Sequence, residues 1–226
     1  MTLLFGKYAG IDLPALITSA MMSSEKIKPR TRIQKQNTAA IMEAALEVFS
    51  ANGFRGSTLD QIARAAGISK PNLLYYFSSK KAIHVALLSE LLDAWLYPLR
   101  EMDSNGDPKN ELMKYMRRKL DLSRNYPRES RLFANEIVQG APRIKKFLKG
   151  DLKNLVDEKA EVISGWMDQG RIARLNPHHL IFSIWALTQH YADFETQTSS
   201  ILGKESEQIY DDAGAFLEDI FEKIFI

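Results

Sequence analysis

The sequence predicts an all-α protein of about nine helices, an N-terminal helix-turn-helix domain followed by a helical-bundle domain. Three observations carry that expectation. Apolar residues recur at three- and four-residue spacings along nearly the whole chain. No convincing alternating strand interrupts them, and the periodic stretches end at glycine or proline and begin at serine, threonine or asparagine. At 226 residues, 45% of them hydrophobic and 26% charged, the chain can bury a sizeable core. It has no cysteine, which excludes disulfides, thiolate metal sites and cysteine nucleophiles and fits a reducing cytosol.

Residues 1–25 open with "MTLLFGKYAGIDLPALITSAMM", an apolar run broken by Lys7, Asp12 and Pro14 and lacking the charged flank of a signal peptide. A disordered extension is the expectation there, with Met21 or Met22 as an alternative start. No stretch approaches the roughly 18 uninterrupted apolar residues of a membrane span. A cytoplasmic protein without membrane contact is therefore expected.

Residues 26–83 form the predicted DNA-binding domain with a basic arm. "TAAIMEAALEVFSANGF" places Ile41, Ala45, Leu46, Val48 and Phe49 on one face and stops at Gly53. "STLDQIARAAG" follows, capped by Ser57 or Thr58 and stopped at Gly67. The short "KPNLLYYF" has Pro71 in its first turn, where the missing N–H costs nothing. A longer helix then starts at Ser78 or Ser79 and runs to the loop "SNGDP". Residues 84–226 form the predicted ligand and dimerisation domain, with helical stretches near 109–125, 128–139, 151–169, 177–198 and 205–225.

Helices of about 18, 8 and 7 residues, the last two joined by "AGIS", describe a helix-turn-helix, whose second helix enters the major groove. Leu73 and Phe77, four residues apart, should pack inward and leave Asn72, Tyr75 and Tyr76 facing out. Asn reads base edges, and tyrosine reaches phosphates, bases and thymine methyls. Lys70 and Lys80 suit phosphate contacts. Lys26, Lys28, Arg30, Arg32 and Lys35 make an acid-free arm for the backbone or minor groove. From Lys26 to Lys81 there are ten Lys/Arg against three Asp/Glu, in a chain of net charge +2. The positive charge is therefore concentrated at one end, as a polyanion partner requires. A basic run alone is more often a solvated tail; its coincidence with the turn and the outward aromatics favours DNA.

The stretch "GFRGSTLDQIARAAGISKPNLLYYFSSKKAI" resembles the DNA-binding domain of the TetR family of transcriptional regulators. The Gly-Phe stop, Ser57-Thr58, Ile62-Ala63, Ala66-Gly67, Ser69, Tyr75, Tyr76, Phe77 and Lys80 carry the resemblance. It implies a homodimer on palindromic operator DNA and repression relieved by a small molecule. It also implies Thr58, Lys70, Pro71, Asn72, Tyr75, Tyr76 and Lys80 as DNA-contacting positions. Pro71-Asn72 stands where Gly-Thr is commoner and Lys81 where an acid is frequent, so the operator sequence is not implied.

In the second half, Trp185 and Gln189 form an i, i+4 pair on one helical face. A carboxamide beside an indole can grip a flat amide-bearing ring. A buried glutamine satisfied by backbone is the other reading, and spacing alone favours it. "LLDAWLYPL", "SRNYPRESRLF", "GDLKNLVDEKAEVISGW" and "NPHHLIFSIWALTQHYADFETQ" resemble the corresponding parts of TetR-family regulators of pyrimidine utilisation. That resemblance implies uracil or thymine as effector. It also implies a pocket lined by Trp95, Trp185 and Gln189, with His190, Tyr191 and Asp193 near it. The last helix, with Phe216, Leu217, Ile220, Phe221 and Ile224 on one stripe, should close the core or join a four-helix dimer face with the 177–198 helix. Dimerisation would set two recognition helices roughly 34 Å apart.

An enzyme acting on a pyrimidine is the competing class. His178 and His179 point about 100° apart on a helix and cannot share a metal. No metal-ligand spacing, nucleophile elbow or phosphate loop is present, so neither metal nor cofactor is expected. His190 with Asp193 is the one candidate acid–base pair.

Overall fold

The computed structural model describes residues 32–225. The expected disorder of residues 1–25 and the arm residues Lys26, Lys28 and Arg30 lie outside them. The described chain is helical throughout: α1 Arg32–Gly56, α2 Leu59–Ala65, α3 Lys70–Tyr76, α4 Lys80–Arg100, α5 Pro108–Asn125 and α6 Pro127–Val138. There follow α7 Lys145–Phe147, a π-turn over Leu148–Leu152, α8 Lys153–Asp168, α9 Pro177–Asp193, α10 Glu195–Leu202 and α11 Ser206–Glu222. An isolated bridge between Ile172 and Phe225 pins the chain's end to the loop before α9.

Local chemistry sets the boundaries. Thr58, not Ser57, caps α2: its Oγ1 accepts the Gln61 N–H, while the Gln61 carboxamide oxygen accepts the Thr58 N–H at 2.7 Å. Ser57 is buried instead, donating its hydroxyl to the carbonyls of Val48 and Gly53 at 3.1 and 2.6 Å. Ser69 caps α3 and Ser79, not Ser78, caps α4. Gly53 leaves the helical region at φ 66°, bending α1 where the sequence places its stop. The expected single helix over 177–198 breaks at Phe194, and the expected helix from 151 begins at Lys153, after the π-turn.

Two cores result. The first gathers α1 to α4 with Leu122, Leu132 and Ile144; the second gathers α5, α8, α9 and α11. Helix α4 belongs to both, supplying Ile83 through Trp95 to the first and Leu99 to the second. It is also the one described helix long and apolar enough to cross a membrane, and its apolar residues are committed to these cores. An expected domain boundary between residues 83 and 84 falls inside this continuous helix.

The head is fastened to the body by charge as well as packing. Arg128 on α6 pairs with Glu43 on α1 at 2.9 Å. Beyond α6, the Arg143 guanidinium pairs with Glu136 at 2.5 Å and lies 3.5 Å from the centre of the Phe54 ring. Glu136 is 1% exposed and is held by both the guanidinium and the backbone N–H of Arg143, the latter at 2.8 Å. Removing one member of a buried pair strands the other, which typically costs about 3–5 kcal/mol. Glu136→Ala is therefore expected to lower Tm by roughly 10 °C in calorimetry; an unchanged Tm would show that the pair does not fasten the head.

Candidate functional site

The DNA-reading end is built on α2 and α3. Leu73 is fully buried, fixing α3 against Ile62 and Ala63, and Lys70, Pro71, Asn72, Leu74 and Tyr75 are exposed. Tyr75 is 72% exposed and its hydroxyl accepts from Gln34 at 3.3 Å. Tyr76 is half-buried: Asn37 on α1 donates to its hydroxyl at 2.7 Å, and its ring packs edge-on to Tyr75. The expectation of an outward Tyr76 is corrected by that contact with α1. Lys70 pairs with Asp60 at 2.9 Å across the turn, with both side chains open to solvent. Such a pair is weak and exchanges readily for a phosphate.

Lys80 sits differently. Its ammonium donates to the carbonyls of Phe54 and Ser57 at 2.7 and 2.6 Å and lies 4.4 Å over the Phe54 ring. It thereby satisfies carbonyls left open where α1 ends. Beside it His84 is buried among Phe49 and Phe54, its pKa pushed down to about 4 by burial and by the neighbouring Arg143 charge.

The second site is a cavity of about 40 Å³ where the two cores meet. Helix α4 contributes Leu91, Leu92, Trp95 and Leu96, α5 Lys119, α6 Phe133, the π-turn Leu152, and α9 Trp185 and Gln189. Trp185 donates its indole N–H to the Tyr115 hydroxyl at 2.5 Å, which fixes the ring and uses its one donor. Among the described residues the Gln189 carboxamide makes no hydrogen bond, so the reading of a glutamine satisfied by backbone is overturned. Lys119 is 3% exposed, its ammonium 4.2 Å over the Trp95 ring, and burial pushes its pKa down to about 7 against the opposing charge of Asp193. Aromatic walls and an open amide suit a flat polar ring, which this small slot admits only as its walls part.

The chain matches two family profiles: residues 41–87 match "Bacterial regulatory proteins, tetR family" and residues 88–224 match "YcdC-like protein, C-terminal region". The chain belongs to the TetR family. Over 174 residues it is 49% identical to the HTH-type transcriptional regulator RutR of Escherichia coli (strain K12), covering 77% of this chain and 82% of that one. Among solved structures it resembles AibR, crystallised with isovaleryl coenzyme A and operator DNA, at TM-score 0.63 and 20% identity over 80% of this chain and 97% of that one. It resembles the fatty acid degradation regulator FadR from Bacillus halodurans at TM-score 0.59 and 18% identity, over 84% and 96%. At those identities the two structures speak for the fold alone. The chain is thus a transcriptional regulator rather than an enzyme.

In this TetR-family regulator, Trp95, Trp185 and Gln189 come together at one cavity from two helices. His190, Tyr191 and Asp193 do not line it. His190 is exposed and stacks on Phe194 at 5.1 Å, and Tyr191 packs against Tyr210. Asp193 accepts from Ser130 at 2.5 Å and faces an open depression of about 650 Å³ with Arg131 and Glu195. Asp193 thus bonds Ser130 instead of completing an acid–base pair with His190. Burial raises its carboxyl pKa, and Ser130 and the cations Arg131 and Lys119 oppose the rise. His178 pairs with Asp157 at 2.9 Å, and the described residues hold no group of three metal-ligating side chains.

Leu91, Leu92 and Leu96, and with them Lys119, Phe133 and Leu152, are lining residues that the sequence reading does not name. Lys119 had a signal: it shares the Leu112, Tyr115, Met116, Ser123 stripe of α5, where a cation is out of place. Phe133 and Leu152 had none, because any apolar residue on those segments serves a core equally well.

Lys80 carries a prediction that separates its two readings. Lys80→Met should weaken duplex DNA binding while leaving the salt slope of log Kobs unchanged, because the lysine holds the head's shape. A direct phosphate contact would instead reduce that slope by about one unit. Fluorescence anisotropy over a salt series distinguishes them.

Proposed function

We propose that this regulator is a homodimeric repressor that binds palindromic operator DNA in the cytoplasm through α3 and senses uracil or a close pyrimidine in the Trp95–Trp185–Gln189 cavity. The observation that carries the pyrimidine is the half-buried Gln189 carboxamide, which bonds no protein group among the described residues and lines the same cavity as Trp95 and Trp185. Uracil is flat and presents alternating C=O and N–H groups that one carboxamide matches edge to edge. A site built on such pairing rejects rings with the wrong edge, because its own polar atoms are then left buried and unpaired. The resemblance to pyrimidine-utilisation regulators supports the same ligand.

On the DNA side, Asn72 and Tyr75 are the side chains for base edges, Lys70 and Thr58 for phosphates, and Arg30 and Arg32 for the backbone or minor groove. Pro71 keeps the start of α3 rigid, and Tyr76 and Lys80 hold its geometry from behind. For dimerisation, α9 leaves Phe182 and α11 leaves Phe216 about half exposed, in keeping with a four-helix contact between copies. Part of the final stripe is turned inward: Leu217 and Phe221 are buried in the second core and Ile224 packs against it.

A ligand that binds only the native state raises its melting temperature by mass action. Uracil is expected to raise Tm and cytosine to leave it unchanged. Gln189→Ala should abolish the uracil shift while retaining DNA binding. A uracil shift surviving in Gln189→Ala would place the ligand elsewhere. A Tm raised only by some other planar ring would replace the pyrimidine reading with a different effector.

A further inference from the structure

We propose that Lys119 is the polar anchor of the cavity and that ligand capture is accompanied by uptake of up to one proton from solvent onto its Nζ, the fraction rising with pH. The inference rests on the cavity being the effector site and goes on to assign how it reads acceptor oxygens.

A lysine at 3% exposure is ordinarily ion-paired or hydrogen-bonded. Lys119 makes no side-chain hydrogen bond among the described residues, and its ammonium rests on the face of Trp95 at 4.2 Å. It also lines the cavity with Gln189 and Trp185. The groups around it are few in kind. Helix α4 presents Trp95, α6 Phe133 and the π-turn Leu152; α9 presents Trp185 and Gln189. The charge acting on it is Asp193 of α9, which is engaged with Ser130. Tyr115, a turn earlier on α5, keeps its proton because burial drives its pKa far up, and it accepts from Trp185. The cation thus has a ring beneath it, no acceptor, and a cavity beside it.

Burial holds its pKa at about 7, so near neutrality the amine is divided between its two forms. A carbonyl or anionic oxygen seated in the cavity accepts a hydrogen bond from the charged form and favours it. The proton comes from solvent, adds to Nζ on binding, and returns to solvent on release. No bond within the ligand changes. The ligand-free pKa is the lower of the two, so affinity is constant well below pH 7. Above pH 7 it falls, approaching tenfold per pH unit.

Isothermal titration of the full chain with uracil, from pH 6.5 to 8.5 and in two buffers of different ionisation enthalpy, tests this. Wild type should show proton uptake and weakening with pH. Lys119→Met should bind about tenfold to a hundredfold more weakly at pH 6.5 and show neither effect. Without ligand, Lys119→Met should melt close to wild type, since the lost cation–ring contact and the relieved cost of burying the amine oppose each other; a much lower Tm assigns Lys119 a structural role and overturns the anchor. Equal uracil affinity in the variant, or a pH-independent wild type, overturns it as well. Should uracil fail to bind wild type, the pyrimidine reading falls, and succinimide, hydantoin and 2-pyridone take its place in the same titrations. Binding of any of them with the same pH slope supports Lys119; binding of none overturns it.

Discussion

The relation between the DNA-reading head and the rest of the molecule depends on where one ring, Phe54, is held. The bend at Gly53 turns Phe54 out of α1, and two cations then meet its ring: Arg143 at 3.5 Å and Lys80 at 4.4 Å. Desolvated cation–ring contacts contribute on the order of 2 kcal/mol each. Their weight here is geometric too, because Lys80 begins α4 and Arg143 follows α6. His84 completes the cluster and stays neutral, first because burial penalises its charged form and then because protonation would add a third positive charge beside those two. The head therefore cannot turn relative to the body without parting Phe54 from Arg143.

The same two elements reach the cavity. Helix α4 carries Lys80 and His84 at one end and Leu91, Leu92, Trp95 and Leu96 further along; from Lys80 to Trp95 is about 22 Å of continuous helix. Helix α6 places Phe133 in the cavity wall, with Glu136, the partner of Arg143, three residues on. Packed interiors move as discrete units and do not deform smoothly. A change in the spacing of α4 and α6 at the cavity is thus also a change in the spacing of the two cations that hold Phe54. Helix α9 adds a third connection, with Trp185 and Gln189 in the cavity and Phe182 and His190 on its exposed side.

Much of this was legible in the sequence, for identifiable reasons. Helices and their starts are written locally: a hydroxyl at the cap, a glycine at the stop, a stripe between them. The one-residue ambiguity at Ser57/Thr58 is resolved by the buried carbonyls that hold the Ser57 hydroxyl, and that at Ser78/Ser79 by the Ala82 N–H that the Ser79 hydroxyl accepts. The π-turn at Leu148–Leu152 escaped notice because one residue added to a turn leaves no mark on composition. Side chains whose role lies across a long separation were read less well. Tyr76 is outward on a helical wheel, yet Asn37 of α1 covers it; Lys80 looks like a phosphate contact, yet bonds carbonyls 23 and 26 residues back. Trp95 and Trp185 are ninety residues apart in the chain, so periodicity could not join them, and resemblance did. Adjacency misled at His190, where one step along α9 turns the side chain from the cavity to the surface.

On the proposed reading of the cavity as the effector site, its size separates how tightly a ligand binds from how strongly it acts. At about 40 Å³ it is far smaller than the several hundred Å³ usual for ligand pockets. An occupant must part the walls, and some of its interaction free energy is diverted into that expansion. Two ligands with the same hydrogen bonds but different girth then differ in affinity and in response, in opposite directions: the bulkier binds less well and displaces α4 and α6 further. Volume becomes a second channel of information beside polar pattern, and a slim, well-matched ring would fill the site as a silent competitor.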